Sequence, residues 1–124
     1  ASKSRGLGDV YKRQGLPIKI INLNNRALGM VKQWQDMQYG GRYSSISYED
    51  SLPDFVKLAE SFGHVGIKVE KLSELNQAME ESFAMKDKLV FLDVLVDPDE
   101  HVYPMLEAGG SMSEMRLSKD KKTF

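Results

Sequence analysis

Three asparagines within four residues, Asn22, Asn24 and Asn25, close an apolar, β-branched run that starts at Pro17 and contains Ile18, Ile20, Ile21 and Leu23. An asparagine side-chain carbonyl is a neutral hard-oxygen donor, suited to a Mg2+ ion whose charge is already balanced by phosphate oxygens. The chain then runs into a helical pattern, and a helix N-terminus offers N–H groups to a diphosphate. On residue types alone, asparagines after a strand more often make an ordinary turn. Other polar residues offer less. His64 and His101 lack cysteine partners and paired acidic spacing, which favours structural or surface roles over zinc. Asp97, Asp99 and Glu100 suit a solvated turn better than a catalytic pair, and Lys119, Lys121 and Lys122 suit a charged terminus. No Ser-His-Asp order, phosphate loop or GxGxxG fingerprint is present.

The elements that would position these residues follow from hydrophobic periodicity. Pro17–Leu23 predicts a buried strand ending in a turn. Met30, Val31, Trp34 and Met37 predict a helix of about ten residues from Leu28, and such a stripe ordinarily means core packing. Tyr39–Ser51 has no periodicity and contains Gly40 and Gly41, the composition of a functional lid or a structureless stretch. Ser51 as cap, then Pro53 and Asp54, start a second helix with Phe55, Leu58, Ala59 and Phe62 on one stripe and Gly63 at its end. His64–Val69 reads as a strand. Ser73 caps a third helix with Leu75, Ala78, Met79 and Phe83 inward, and Leu89–Val96 reads as a strand covered on both faces. Strand, helix, helix, strand, helix, strand predicts an α/β domain in three layers around a parallel sheet, followed by an irregular tail from Asp97.

Bulk properties bound this reading. With 124 residues, the chain suits one domain with one modest core. A net charge of −1 gives no basic footprint for nucleic acid and no polybasic membrane patch. The longest apolar run, Leu89–Val96, is interrupted by Asp93 and is far too short to span a bilayer. Absence of cysteine excludes disulfides, thiolate metal sites and a cysteine nucleophile, and is compatible with a reducing cytoplasm. The string SRGLGDVYKRQ, Ser4–Gln14, resembles one translation frame of a sequencing-library adapter, so residues 1–14 are expected to be a non-native tail and the domain to occupy residues 15–124.

The stretch GLPIKIINLNNRALGMVKQWQDM, Gly15–Met37, resembles the second half of the thiamine-diphosphate motif of acetolactate synthases, a motif that opens with GDG and closes with NN. SLPDFVKLAESFGHVGIKVE, LVFLDVLVD and EHVYPM follow in that family's order, and GMVKQWQ together with EHVYPM separates it from other enzymes that share the NN pair. The resemblance implies the C-terminal part of a thiamine-diphosphate-binding fold. It also implies that Asn25 gives its side-chain oxygen, and Ala27 its backbone carbonyl, to Mg2+. Gly29 and Met30 would lie along the cofactor, and Trp34 would line the channel for substrates and inhibitors. Residues 35–51 would be a mobile closing loop and 97–124 a capping tail.

The implied activity condenses two pyruvates, or pyruvate and 2-oxobutyrate, with loss of carbon dioxide, in branched-chain amino-acid biosynthesis. The implied setting is a bacterial cytoplasmic homodimer or tetramer with a regulatory small subunit, using thiamine diphosphate, Mg2+ and FAD. The GDG half of the motif with its metal-binding Asp, the cofactor-activating Glu and the FAD domain are absent from this chain. No catalytic residue is therefore assigned, and the isolated chain is expected to be inactive. Another thiamine-diphosphate carboligase or decarboxylase, or a non-catalytic α/β binding module, remains the alternative.

Overall fold

The computed structural model describes residues 16–48 and 50–118, so the adapter-like string and the C-terminal lysines lie outside the described residues. The elements are β1 (Lys19–Asn24), α1 (Gly29–Tyr39), α2 (Phe55–Ser61), β2 (Val65–Val69), α3 (Leu72–Ala84) and β3 (Val90–Leu95), with a short 3-10 turn at Met112–Glu114. They form two compact units. Of the described residues, one unit comprises 16–24 with Ser51–Val96, and the other comprises Asn25–Asp50 with 97–118.

The first unit is the expected α/β layering. The three strands are parallel in the order β1-β3-β2, with Ile21 and Ile67 both opposite Leu92. Val90 and Leu92 of the central strand are completely buried, each burial stabilising by about 1.5–3 kcal/mol. They pack with Val69, Val94 and Ala78, and with Leu75 and Met79 of α3. Strand alternation sends Phe91 to the opposite face, where its ring stacks on Phe55 of α2 at 6.0 Å. The sheet therefore lies between α2 and α3.

Several local expectations shift. The cap of α2 is Asp54, whose carboxylate accepts the Lys57 N–H at 3.1 Å, because the helix starts later than Ser51 would allow. Its other end is as read: Gly63 adopts φ +78°, with Gly63 N–H bonded to Glu60 O and His64 N–H to Ala59 O. Ser73 lies inside α3 rather than capping it. There the Glu74 carboxylate accepts the N–H groups of Glu70 and Lys71. Phe83 points outward at 57% exposure, and Ser82, completely buried, continues the inward stripe by donating to Met79 O. β1 is an edge strand, not a buried one. Ile21 and Leu23 (68% exposed) look into an open apolar groove of about 420 Å³ shared with Val69, Leu72, Leu75 and Met79. Among the described residues, no helix is long and apolar enough to cross a membrane.

One glycine fixes how closely α2 approaches the sheet. A Cβ on Gly66 would stand 2.8 Å from Val56 Cα and 2.8 Å from its carbonyl oxygen, both backbone atoms that cannot swing aside. Gly66→Ala should therefore destabilise the fold by about 1–3 kcal/mol through forced separation of α2 from β2. Urea unfolding followed by circular dichroism checks this, and an unchanged midpoint would show that the approach is not tight.

Candidate cofactor and metal site

β1 hands the chain to Asn25, and the three asparagines separate here by role. Asn22 and Asn24 belong to the strand. Their side-chain amides donate to the buried carboxylate of Asp93 on β3, at 2.8 and 3.3 Å, so the one charge in the central strand is satisfied inside the sheet. Only Asn25 stands past the strand, as expected from the sequence. Its Oδ1 accepts the Ala27 N–H at 3.1 Å, closing a tight turn around Arg26, which adopts φ +56°.

Ala27 pairs in an antiparallel bridge with Ser47, with Leu28 N–H bonded to Ile46 O and Tyr48 N–H to Arg26 O. In such a pair the flanking residues make the bonds, so the Ala27 N–H and carbonyl turn to the other side, the side that carries the Asn25 amide. Gly29 begins α1, and a Cβ there would come 2.7 Å from Asn25 Nδ2, so this glycine leaves room for the Asn25 side chain. The Tyr39–Ser51 stretch is thus not structureless throughout: Ile46 is buried, and Gln35 both donates to Ser44 O and accepts its N–H. Gln35–Tyr39 itself forms the last turns of α1.

The donor set fits a metal in part. An amide oxygen has two acceptor positions, so the bond from Ala27 leaves Asn25 Oδ1 one for a cation, and the Ala27 carbonyl is a second hard oxygen. Both are neutral. Among the described residues no group of three or more His, Cys, Asp and Glu converges as a metal set. These two oxygens would complete a Mg2+ shell only beside a carboxylate and phosphate oxygens.

α1 is amphipathic in reverse. Its enclosed residues are Lys32 (8% exposed) and Gln33 (1%), while Leu28, Met30 (51%), Val31 and Tyr39 are exposed, and Trp34 and Met37 are half-buried. The Met30, Trp34, Met37 stripe is therefore not an ordinary core. Polar bonds hold the enclosed face. Lys32 Nζ bonds Asp36, Tyr43 Oη and Asp99; His101 Nε2 lies 2.9 Å from Asp36; Gln33 donates to Val102 O and accepts its N–H. Sequence reasoning missed this network. Its visible signal was the Lys32/Asp36 pair, one turn apart on a helix.

The chain belongs to the thiamine pyrophosphate enzymes: the family model for their C-terminal TPP-binding domain matches residues 9–94, beginning inside the adapter-like string. Within that class its relatives are acetolactate synthase large subunits. It is 58% identical over 108 residues to that of Haemophilus influenzae and 56% identical over 110 residues to that of Escherichia coli isozyme 3, matches covering 87% of this chain. It is 40% identical over 114 residues, 90% of this chain, to that of Corynebacterium glutamicum. The chain spans 18–19% of the length of these relatives.

Burial pushes the Asp36 carboxyl up, but the Tyr43 hydroxyl, the Lys32 ammonium and His101 outweigh it and hold its pKa below the usual value. A depressed folded-state pKa contributes stability above the unfolded value, lost as pH falls through the depressed one. The second unit should thus hold through neutral pH and loosen in acid below the ordinary carboxylate range. Trp34, the one tryptophan, reports this by fluorescence. Asp36→Asn should blunt the acid transition, and identical transitions in both proteins would contradict the assignment.

Proposed function

We propose that this chain is the part of an acetolactate synthase large subunit that supplies the neutral half of a Mg2+–thiamine diphosphate site. The observation that carries the reading is the Asn25 turn: a side-chain oxygen and a main-chain carbonyl on one side, directly after a parallel strand, within a TPP-binding family match. Ligands of open parallel sheets gather beyond the carboxyl ends of strands, where this turn lies. Asn25 Oδ1 and the Ala27 carbonyl would hold Mg2+, and Gly29 and Met30 would lie along the cofactor. The first turn of α1 has no side-chain cap and no acidic residue, which leaves its N–H groups suited to diphosphate oxygens. Thiamine diphosphate, when bound, supplies the chemistry that removes carbon dioxide from a 2-oxo acid.

The protein's own task is then to orient the bound groups and exclude water. Trp34 and the exposed apolar side chains of α1 suit the wall of an entrance closed by other parts of the subunit and by a second subunit. The loop that follows α1, from Gly40, and the tail from Asp97 would close over the site. The reaction assigned is condensation of pyruvate with pyruvate or 2-oxobutyrate in branched-chain amino-acid synthesis. Its setting is a cytoplasmic homo-oligomer with a regulatory small subunit and FAD bound elsewhere in the large subunit.

Two measurements test this. Calorimetric titration of the 124-residue chain with thiamine diphosphate and Mg2+ should give no micromolar binding, because two neutral oxygens offer the cation no charge. Micromolar binding, or turnover of pyruvate, would contradict the half-site. In the full-length subunit, Trp34→Leu should weaken aromatic entrance-blocking inhibitors by about 0.5–1.5 kcal/mol beyond the lost contact area while changing pyruvate use far less. Equal loss of both would return Trp34 to a packing role.

A further inference from the structure

The enclosed polar face of α1 joins two segments that are far apart in sequence. Lys32 and Asp36, one helical turn apart, both bond the Tyr43 hydroxyl of the loop that follows α1. Each also holds one residue of the tail: Lys32 bonds the Asp99 carboxylate, and Asp36 bonds His101 Nε2. The two anchors therefore have the same pattern, one bond to the loop and one to the tail. Lys32 further lies 4.8 Å from the centre of the Tyr43 ring, a cation–π contact. Gln33, between them on the same helix, has a different pattern, because both of its bonds go to the Val102 backbone of the tail alone.

We propose that the Lys32–Asp36 pair is a clasp that makes the 41–48 loop and the 99–103 segment of the tail open and close as one body. The physical reason lies in shared partners. Releasing Tyr43 leaves the two charges with fewer donors and acceptors at an enclosed position, and releasing Asp99 does the same from the other side. Each departure therefore weakens the hold on the remaining segment. Burial lowers the Lys32 pKa, but bonds to Asp99, Tyr43 and Asp36 outweigh it and raise it overall, which keeps the clasp charged at neutral pH. The clasp rests on contacts within this one unit and not on the carboligase reading. Its consequence, that access to a site past Asn25 is gated by loop and tail together, does rest on that reading.

Hydrogen exchange of the 124-residue chain, read by mass spectrometry segment by segment, tests the clasp without any ligand. Lys32→Met preserves bulk and apolar burial while removing the charge. It should speed exchange about tenfold or more in both the 41–48 loop and the 99–103 tail. Gln33→Met removes only the two bonds to Val102; because loop and tail move as one body, whatever it frees in the 99–103 tail should be matched by faster exchange in the 41–48 loop. Should Lys32→Met also speed exchange across α1 itself, showing that the helix has come apart, Tyr43→Phe decides instead. It removes only the shared hydroxyl, and the clasp requires faster exchange in the 99–103 tail. Faster exchange in only one segment of Lys32→Met with α1 intact, an unchanged tail in Tyr43→Phe, or a freed tail beside a still-protected loop in Gln33→Met would overturn the proposal.

Discussion

Parallel sheets occur almost only with both faces covered, and among the described residues α2 and α3 cover β3 and β2 but not β1. β3 has a strand on either side, α3 over Val90, Leu92 and Val94, and the Phe55 ring over Phe91. Its one charge, Asp93, is satisfied by two asparagines of β1. β1 has a partner on one edge and leaves Ile21 and Leu23 open. At about 25 cal/mol for each Å² of apolar surface, exposed residues of this size are a substantial unrealised stabilisation. The sheet has a finished centre and an unfinished rim, which fits a chain spanning 19% of relatives such as that of Haemophilus influenzae.

The second unit shows the same incompleteness in a helix. α1 encloses Lys32 and Gln33 and leaves Met30 and Val31 to solvent. Enclosing charge costs desolvation, and that cost is met only by well-made bonds. The arrangement is therefore specified by geometry, through Tyr43, Asp99, His101 and Val102, more than by apolar burial. The apolar face is left for something else to cover, and the Asn25 turn precedes that face in the chain. A turn with two neutral oxygens on one side and an uncovered helix face are what the proposed function predicts for one part of a larger site.

What the sequence disclosed follows from range. Periodicity is local, so all three strands and all three helices were legible, as was Gly63 at the end of α2. Asn25 was legible as a residue past a strand. Caps depend on the start of a helix to within a residue, which is why Asp54 caps α2 in place of Ser51, and why Ser73 falls inside α3 while Glu74 reaches back to the Glu70 and Lys71 N–H groups. Burial depends on neighbours distant in sequence: Phe83 and Leu23 carry apolar labels yet have no cover. The Lys32 network was least legible, because Lys32 and Asp99 are 67 residues apart and no spacing rule links them. Asp93, by contrast, announced itself by interrupting an apolar run, and the structure supplies the reason in Asn22 and Asn24.

The central claim is that Asn25 and Ala27 form the neutral half of a site whose charged half is encoded upstream. Reading the genomic DNA on the 5′ side of the codon for Gly15 tests it most directly. The account predicts an uninterrupted frame in place of the adapter-like string, encoding a Gly-Asp-Gly motif and, beyond it, the remainder of a large subunit. A natural start codon close to Gly15, with no such motif in frame, would contradict it and leave a free-standing α/β module.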